Sequence, residues 1–199
     1  MENAIGQMQN CTVVRPSDPK VGAVLVTKRQ RTLAGWRGQI QPGDHAEFTV
    51  LFKKATSIDL TKGGTLYTTL EPCTTRKHTK RTCTQWIIDY GIKRVVIGIL
   101  DPNPDICGRG YWQLVEAGIA VDFFPSELAQ IIRVENKPFL DTHLKPVEIS
   151  TPFSEVVRHL KDEYLAHYTE LGVQECLSIQ DCPWRREGWA MTQIRIDRI

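Results

Sequence analysis

The sequence contains no apolar run near the roughly 20 residues that a membrane-spanning helix requires. Its first residues, Met1 to Gly6, carry no basic stretch leading into an apolar segment. A soluble, cytoplasmic protein with no membrane partner is therefore expected. An excess of charge of one sign is also missing: 25 Lys and Arg stand against 23 Asp and Glu, a formal net charge of +2. That balance argues against a protein dedicated to nucleic-acid backbone. The six cysteines, at positions 11, 73, 83, 107, 176 and 182, lack the density of a secreted disulfide scaffold. They are read as core residues, metal ligands or nucleophiles. Eleven prolines and 14 glycines in 199 residues are too few for a disordered or collagen-like chain, and no repeat or low-complexity tract is present. A core of this size buries roughly 70% of the surface that the unfolded chain exposes, so the fold needs no metal to hold it together. A metal site, if present, has another purpose.

What is present is an alternation of helical segments with short β-branched strands, the mark of an α/β layer architecture. Ala4 to Cys11 reads as a helix, followed by a Pro-rich turn from Arg15 to Pro19. Val21 to Thr27 and Arg31 to Trp36 read as a strand hairpin, and His45 to about Ala55 as a helix approached through Pro42-Gly43-Asp44, with Asp44 as N-cap. Strands are expected over Thr65 to Leu70, Arg94 to Leu100 and Ile119 to Phe124. Helices are expected over Thr82 to Tyr90 and Gly108 to Ala117, closed by Gly91 and Gly118. Lys145-Pro146 is the expected seam between a domain at 1–145 and an extension at 146–199. In that extension Thr151-Pro152 starts an amphipathic helix running to Gly172, and Trp184 and Trp189 belong to a packed tail. The extension is expected to pack on the main domain or at an oligomer interface.

Three pieces carry chemistry: His45-Ala46-Glu47 at a helix start, Pro72-Cys73 directly after a strand, and Cys83 at the next helix. One His and two Cys supply three ligands to Zn²⁺ and leave a fourth tetrahedral position open, the arrangement of a catalytic zinc. Zinc can bring a water to a pKa of about 7, and Glu47 is then the proton carrier. His45 and Glu47 are two residues apart, so they converge on one ligand only in the first turn of their helix, met end-on. His-x-Glu followed by Pro-Cys and a second Cys is the signature of zinc-dependent base deaminases, in which the activated water attacks the amino-bearing ring carbon and ammonia leaves.

A closer resemblance rests on longer stretches. Thr69-Leu70-Glu71-Pro72-Cys73, Cys83 after nine residues, Gly91-Ile92-Lys93-Arg94-Val95-Val96, Asp101-Pro102-Asn103-Pro104, Gly108-Arg109-Gly110 and Ala117-Gly118-Ile119 together resemble the deaminase domain of bacterial riboflavin-biosynthesis deaminase-reductases, over about residues 4 to 145. The resemblance implies a three-layer α/β/α cytidine-deaminase fold with a mixed five-stranded sheet, here with a C-terminal helical extension, in a homodimer or homotetramer. It also implies a small-molecule nucleotide substrate. Some positions depart from the family. Its Asn-Pro-x-Val-Gly, whose Asn reaches the substrate sugar, stands here as Asp18-Pro19-Lys20-Val21-Gly22, where an ionised Asp18 only accepts hydrogen bonds. The family's His seven residues before the ligand His is Gly38, its His-rich loop between the cysteines is Thr74 to Thr82, and its reductase domain is not expected in this chain.

The reading is a zinc-dependent hydrolytic deaminase of a small aminopyrimidine or purine nucleotide, with the riboflavin precursor first. The pocket changes bring in a cytidine or adenosine (deoxy)monophosphate, in a specialised pathway that includes defence, as the second reading. His45, Cys73 and Cys83 are the zinc ligands and Glu47 the catalytic residue. The Ala46 backbone, Asp18, Asn103 and the basic loop with Arg76, Lys77, His78 and Lys80 bind substrate. The loop is read as a phosphate clamp against the plain alternative of a solvated charge run. Asn103 is weighed against a simple turn residue. Two other classes stay open. A base-editing deaminase on nucleic acid would show binding that falls steeply with salt. A non-catalytic zinc module would take Cys11 or Cys107 as a fourth ligand. Cys176 and Cys182 are read as buried thiols, and Gly108-Arg109-Gly110 is not a dinucleotide fingerprint, since the third glycine and the downstream acid are missing.

Overall fold

The computed structural model describes residues 1–76, 81–103 and 105–143. The expected helix at 151–172 and the tail tryptophans lie outside the described residues, as do Lys77, His78 and Lys80.

β1 (Gly22–Val26) and β2 (Thr32–Trp36) form an antiparallel hairpin. Its turn is closed by Thr27, whose N–H donates to the Arg31 carbonyl at 2.8 Å. β1 also pairs antiparallel with β3 (Thr65–Leu70), which pairs parallel with β4 (Arg94–Ile99), which in turn pairs parallel with β5 (Ala120–Phe123). The order is β2-β1-β3-β4-β5, a mixed five-stranded sheet. Parallel neighbours need crossovers, supplied here by α4 (Cys83–Asp89) and α5 (Arg109–Glu116). Buried on both faces, β4 reads as the nearly unbroken apolar run Val95 to Ile99.

On one face lie α1 (Glu2–Gln9) and α6 (Ser126–Glu135); on the other lie α2 (Ala46–Phe48), α4 and α5. The three-layer expectation therefore holds. Gly22 allows α1 to lie close on β1, because a Cβ there would stand 2.0 Å from the Ala4 carbonyl oxygen. Leu25, Leu51, Leu66, Ile87, Ile97, Leu114 and Ile132 are fully buried between the layers. A short helix, α3 (Ile58–Thr61), precedes β3, and α7 (Lys137–His143) follows α6. Neither α3, α6 nor α7 was expected from the sequence pattern.

The helix read over 45–55 is two structures in series. After α2 the chain widens into a π-helical turn, Thr49–Lys54, whose Ala55 N–H reaches back five residues to the Val50 carbonyl. Thr49, Val50 and Leu51 are all buried. Three consecutive residues fan over about 200° of an α-helix, and the wider turn brings all three toward the sheet. Asp44 is not the cap: His45 holds the N-cap position in extended conformation, and no side chain caps α2.

A long-range fastening completes the domain. Asn136, 2% exposed between α6 and α7, accepts the Lys20 N–H at 2.7 Å and donates to the Lys20 carbonyl at 3.1 Å and the Ile132 carbonyl at 3.2 Å. This fixes the start of α7 against the segment that leads into β1.

Candidate active site

Each candidate ligand sits at the end of an element. β3 stops where Pro72 can no longer donate to a ladder, and the next residue, Cys73, lies beyond the carboxyl end of the strand, where ligands bind in open α/β sheets. Cys83 is the first residue of α4, whose N-cap Thr82 accepts the Gln85 N–H at 3.2 Å. His45, as N-cap of α2, places its ring beside both cysteines, and Glu47 follows in the first turn. His45 Nδ1 lies 3.2 Å from Cys83 Sγ and 3.6 Å from Cys73 Sγ. The Cys83 N–H donates to Cys73 Sγ at 3.4 Å.

These separations suit a tetrahedral zinc. Zinc–sulfur and zinc–nitrogen bonds of about 2.3 and 2.0 Å put N and S about 3.5 Å apart. The three donor atoms lie within 4.8 Å of one another, and both thiols are buried. Among the described residues the metal-capable group comprises these three. Cys11 is engaged elsewhere, its Sγ donating to the Val21 carbonyl at 3.3 Å, and Cys107 is exposed. The fourth-ligand alternative from the sequence has no support at either position.

The two thiols share their proton unequally. The hydrogen bond from the Cys83 side chain pulls the Cys73 thiol down to about 4, aided by His45, while Cys83, the donor of that bond and buried, is pushed up. A metal that takes both as thiolates displaces the remaining proton.

Glu47 is 3% exposed, and burial pushes its carboxyl above the usual carboxylate range. Its Oε2 lies 3.4 Å from Cys83 Sγ, and its Oε1 accepts from the Thr68 hydroxyl at 3.2 Å. That hydroxyl also reaches the Leu70 carbonyl at 3.1 Å, and with one proton it serves one acceptor at a time.

A second buried carboxylate, Glu71, went unread although it stands in the quoted motif. Its Oε2 accepts the Asp101 and Gly108 N–H groups at 3.1 and 3.0 Å, and its Oε1 the Tyr111 N–H at 3.1 Å. Glu71 thereby satisfies the first turn of α5 from another strand and ties the Cys73 turn to it. Gly110 completes the fit: a Cβ there would stand 2.3 Å from the Pro72 carbonyl oxygen. Desolvation raises the Glu71 pKa, and the Gly108, Tyr111 and Asp101 N–H groups oppose it.

A cavity of about 200 Å³ opens over the ligands. His45, Glu47 and Cys73 line it on the ligand side, and Arg37, Asn103, Phe139 and His143 belong to the rest of its wall. The remaining sequence candidates fall as follows. Asn103 is in the cavity wall, its Oδ1 accepting the Asp105 N–H at 3.0 Å in a side-chain turn. Ala46, the first residue of α2, is fully buried. Arg76 is half-buried and donates to the Gly43 carbonyl at 3.3 Å, bridging to the loop before His45. Asp18 lines the neighbouring groove rather than the zinc cavity, and its Oδ1 accepts from Arg37 Nη2 at 2.9 Å. Arg37, His143 and Phe139 are cavity residues that sequence reasoning missed. Arg37 had no motif to mark it, and the other two lie on the unread α7.

Comparison with known proteins agrees with this geometry. The family model for the cytidine and deoxycytidylate deaminase zinc-binding region matches residues 1–99. The diaminohydroxyphosphoribosylamino-pyrimidine deaminase of Buchnera aphidicola subsp. Schizaphis graminum is 39% identical over 106 residues, covering 52% of this chain and 67% of its own. The riboflavin biosynthesis protein RibD of Bacillus amyloliquefaciens is 44% identical over 107 residues, 52% of this chain and 27% of its own length. Among solved structures, the diaminohydroxyphosphoribosylaminopyrimidine deaminase/5-amino-6-(5-phosphoribosylamino)uracil reductase of Thermotoga maritima superposes with a TM-score of 0.63 at 32% identity, covering 72% of this chain and 40% of that one. The chain belongs to the zinc-dependent cytidine-deaminase superfamily. Within it, the described region is a RibD-like deaminase domain, and the match spans from about a quarter to two fifths of the length of the deaminase-reductase proteins.

Proposed function

We propose that the protein is a zinc-dependent hydrolytic deaminase that releases ammonia from a small aminopyrimidine or purine nucleotide of the riboflavin-precursor type. The observation that carries this is the buried Glu47 carboxyl beside the His45, Cys73 and Cys83 donors, with His45, Glu47 and Cys73 lining a cavity. His45, Cys73 and Cys83 would hold zinc, which when bound supplies the Lewis acid that activates a water near neutral pH. Glu47 takes a proton from the attacking water and delivers it to a ring nitrogen, then carries a second proton to the amino group as it leaves as ammonia. Its place 3.4 Å from Cys83 Sγ and two residues from His45 keeps one carboxyl within reach of the ligand side for both transfers. Thr68 holds Oε1 and so aims Oε2 toward the ligand side.

Asn103 on the cavity wall is placed to orient the substrate, and Arg76 steadies the loop before His45. Placement in the cytoplasm, assembly as a homodimer or homotetramer, and the absence of a nucleic-acid partner belong to the same reading and rest on family resemblance and the balanced charge. No helix among the described residues is long and apolar enough to cross a membrane.

The test is ammonia release by zinc-loaded protein against nucleosides, mono- and triphosphates and the riboflavin precursor, with Glu47→Gln as control. Turnover of one substrate, lost in the variant, is the expected result. Silence across the panel with zinc bound would overturn the small-nucleotide reading.

A further inference from the structure

We infer that Arg37, held in place by Asp18, is the phosphate-reading side chain of the zinc cavity, and that Asp18 acts as its positioning residue rather than as a direct substrate ligand. The inference rests on the deaminase reading for the nature of the substrate, and on geometry for the rest.

Arg37 follows directly after β2, and its backbone N–H donates to the Val21 carbonyl at 2.9 Å, so the base of the side chain is anchored to the segment entering β1. The guanidinium then reaches Asp18, with Nη2 2.9 Å from Oδ1, both side chains being about three-quarters buried. A guanidinium carries five N–H donors in a planar fork. The bond to Asp18 engages one of them and fixes the plane. Arg37 lines the cavity that contains His45, Glu47 and Cys73, whereas Asp18 does not. The ion pair thus joins a residue of the cavity wall to a residue of the neighbouring groove.

Among the described residues that line the cavity, Arg37 is the only Lys or Arg, facing the acidic groups Glu47, Glu71 and Asp101. Glu71 is committed to three backbone N–H groups, and Asp101 accepts the Asn103 N–H at 2.9 Å. A phosphorylated substrate entering this acidic cavity needs a fixed cation, and the planar fork matches a phosphate with two parallel hydrogen bonds. Pre-fixing by Asp18 lowers the entropy lost when the phosphate binds.

The experiment uses full-length, zinc-loaded protein and isothermal titration calorimetry with ribose 5-phosphate, and ribose as the unphosphorylated control. Ribose 5-phosphate has no amino group to lose, so the result does not depend on turnover. The expected outcome is binding of ribose 5-phosphate but not ribose, weakened roughly ten- to hundredfold in Arg37→Ala. Arg37→Lys, which keeps the charge and loses the fork, is expected to fall between, and circular dichroism of both variants reports folding. Absence of ribose 5-phosphate binding to the unaltered protein, or an affinity within about twofold of it in folded Arg37→Ala, overturns the inference. Arg37-dependent binding together with no ammonia release from any nucleotide would keep this inference and defeat the deaminase reading.

Discussion

The ligand side of the cavity and the rest of its wall are built by different means. On the ligand side every group sits at or within a turn of the terminus of a regular element: His45 before α2, Glu47 in its first turn, Cys73 just after β3, Cys83 opening α4. In the rest of the wall the groups come from turns and from the last described helix: Arg37, Asn103 and, on α7, Phe139 and His143. Reaction chemistry tolerates little displacement, so it is fixed by rigid backbone. Recognition is carried by side chains on connecting segments, which vary without disturbing the elements beneath.

The sharpest break in this comparison comes at Glu47. Glu47→Gln is expected to retain zinc by metal analysis while ammonia release falls by roughly 10²–10⁴-fold, the range of a lost acid–base group. Removing a ligand acts on the metal itself. Cys83→Ala should weaken zinc binding by roughly a hundredfold or more, beyond the 10–100-fold of outer residues, and a chelator titration followed by metal analysis checks it. Gly110→Ala tests whether the ligand side is as rigid as its hydrogen bonds imply. A Cβ 2.3 Å from the Pro72 carbonyl oxygen must move the Cys73 turn, costing about 1–3 kcal/mol, read by denaturant unfolding together with a loss of zinc affinity.

Asn103→Ala addresses the other side. It is expected to raise KM roughly three- to tenfold with zinc content unchanged, and an equal fall in zinc would erase the distinction between the two regions. The smallest effect is expected far from both. Gly6, within α1 with no heavy atom within 4 Å of a Cβ position, should accept alanine with a gain of about 0.5–1 kcal/mol and unaltered activity.

Legibility in the sequence follows the same division. The strands and the helices at α4 and α5 were readable because apolar periodicity and closing glycines are local. So were the zinc ligands, because their spacing is dictated by one ion. The π-helical turn was not, since Thr49, Val50 and Leu51 are apolar or small in any helical register and the sheet beneath decides which one forms. Asp44 looked like a cap because its type and position suit one, yet the chain gives that place to His45, whose ring must face the cysteines. Glu71 was visible as a letter in a motif, but its three N–H partners come from residues 30 to 40 positions away. Asp18 was assigned to the substrate because the family's residue there is; its pairing with Arg37, 19 positions on, exists only in three dimensions.

Asn136 carries a consequence for the order in which the cavity is assembled. Its hydrogen bonds to Lys20 join residues 116 apart in the chain. Closing a loop of that length costs on the order of 4 kcal/mol from its logarithmic term alone, and few favourable contacts offset it until the sheet between has formed. The hairpin and the β3–β4 crossover, with far shorter closures, are expected to form first. On that order the His45, Cys73 and Cys83 donors would come together before α7 is fastened, and a metal would find its site while the wall at Phe139 and His143 is still open.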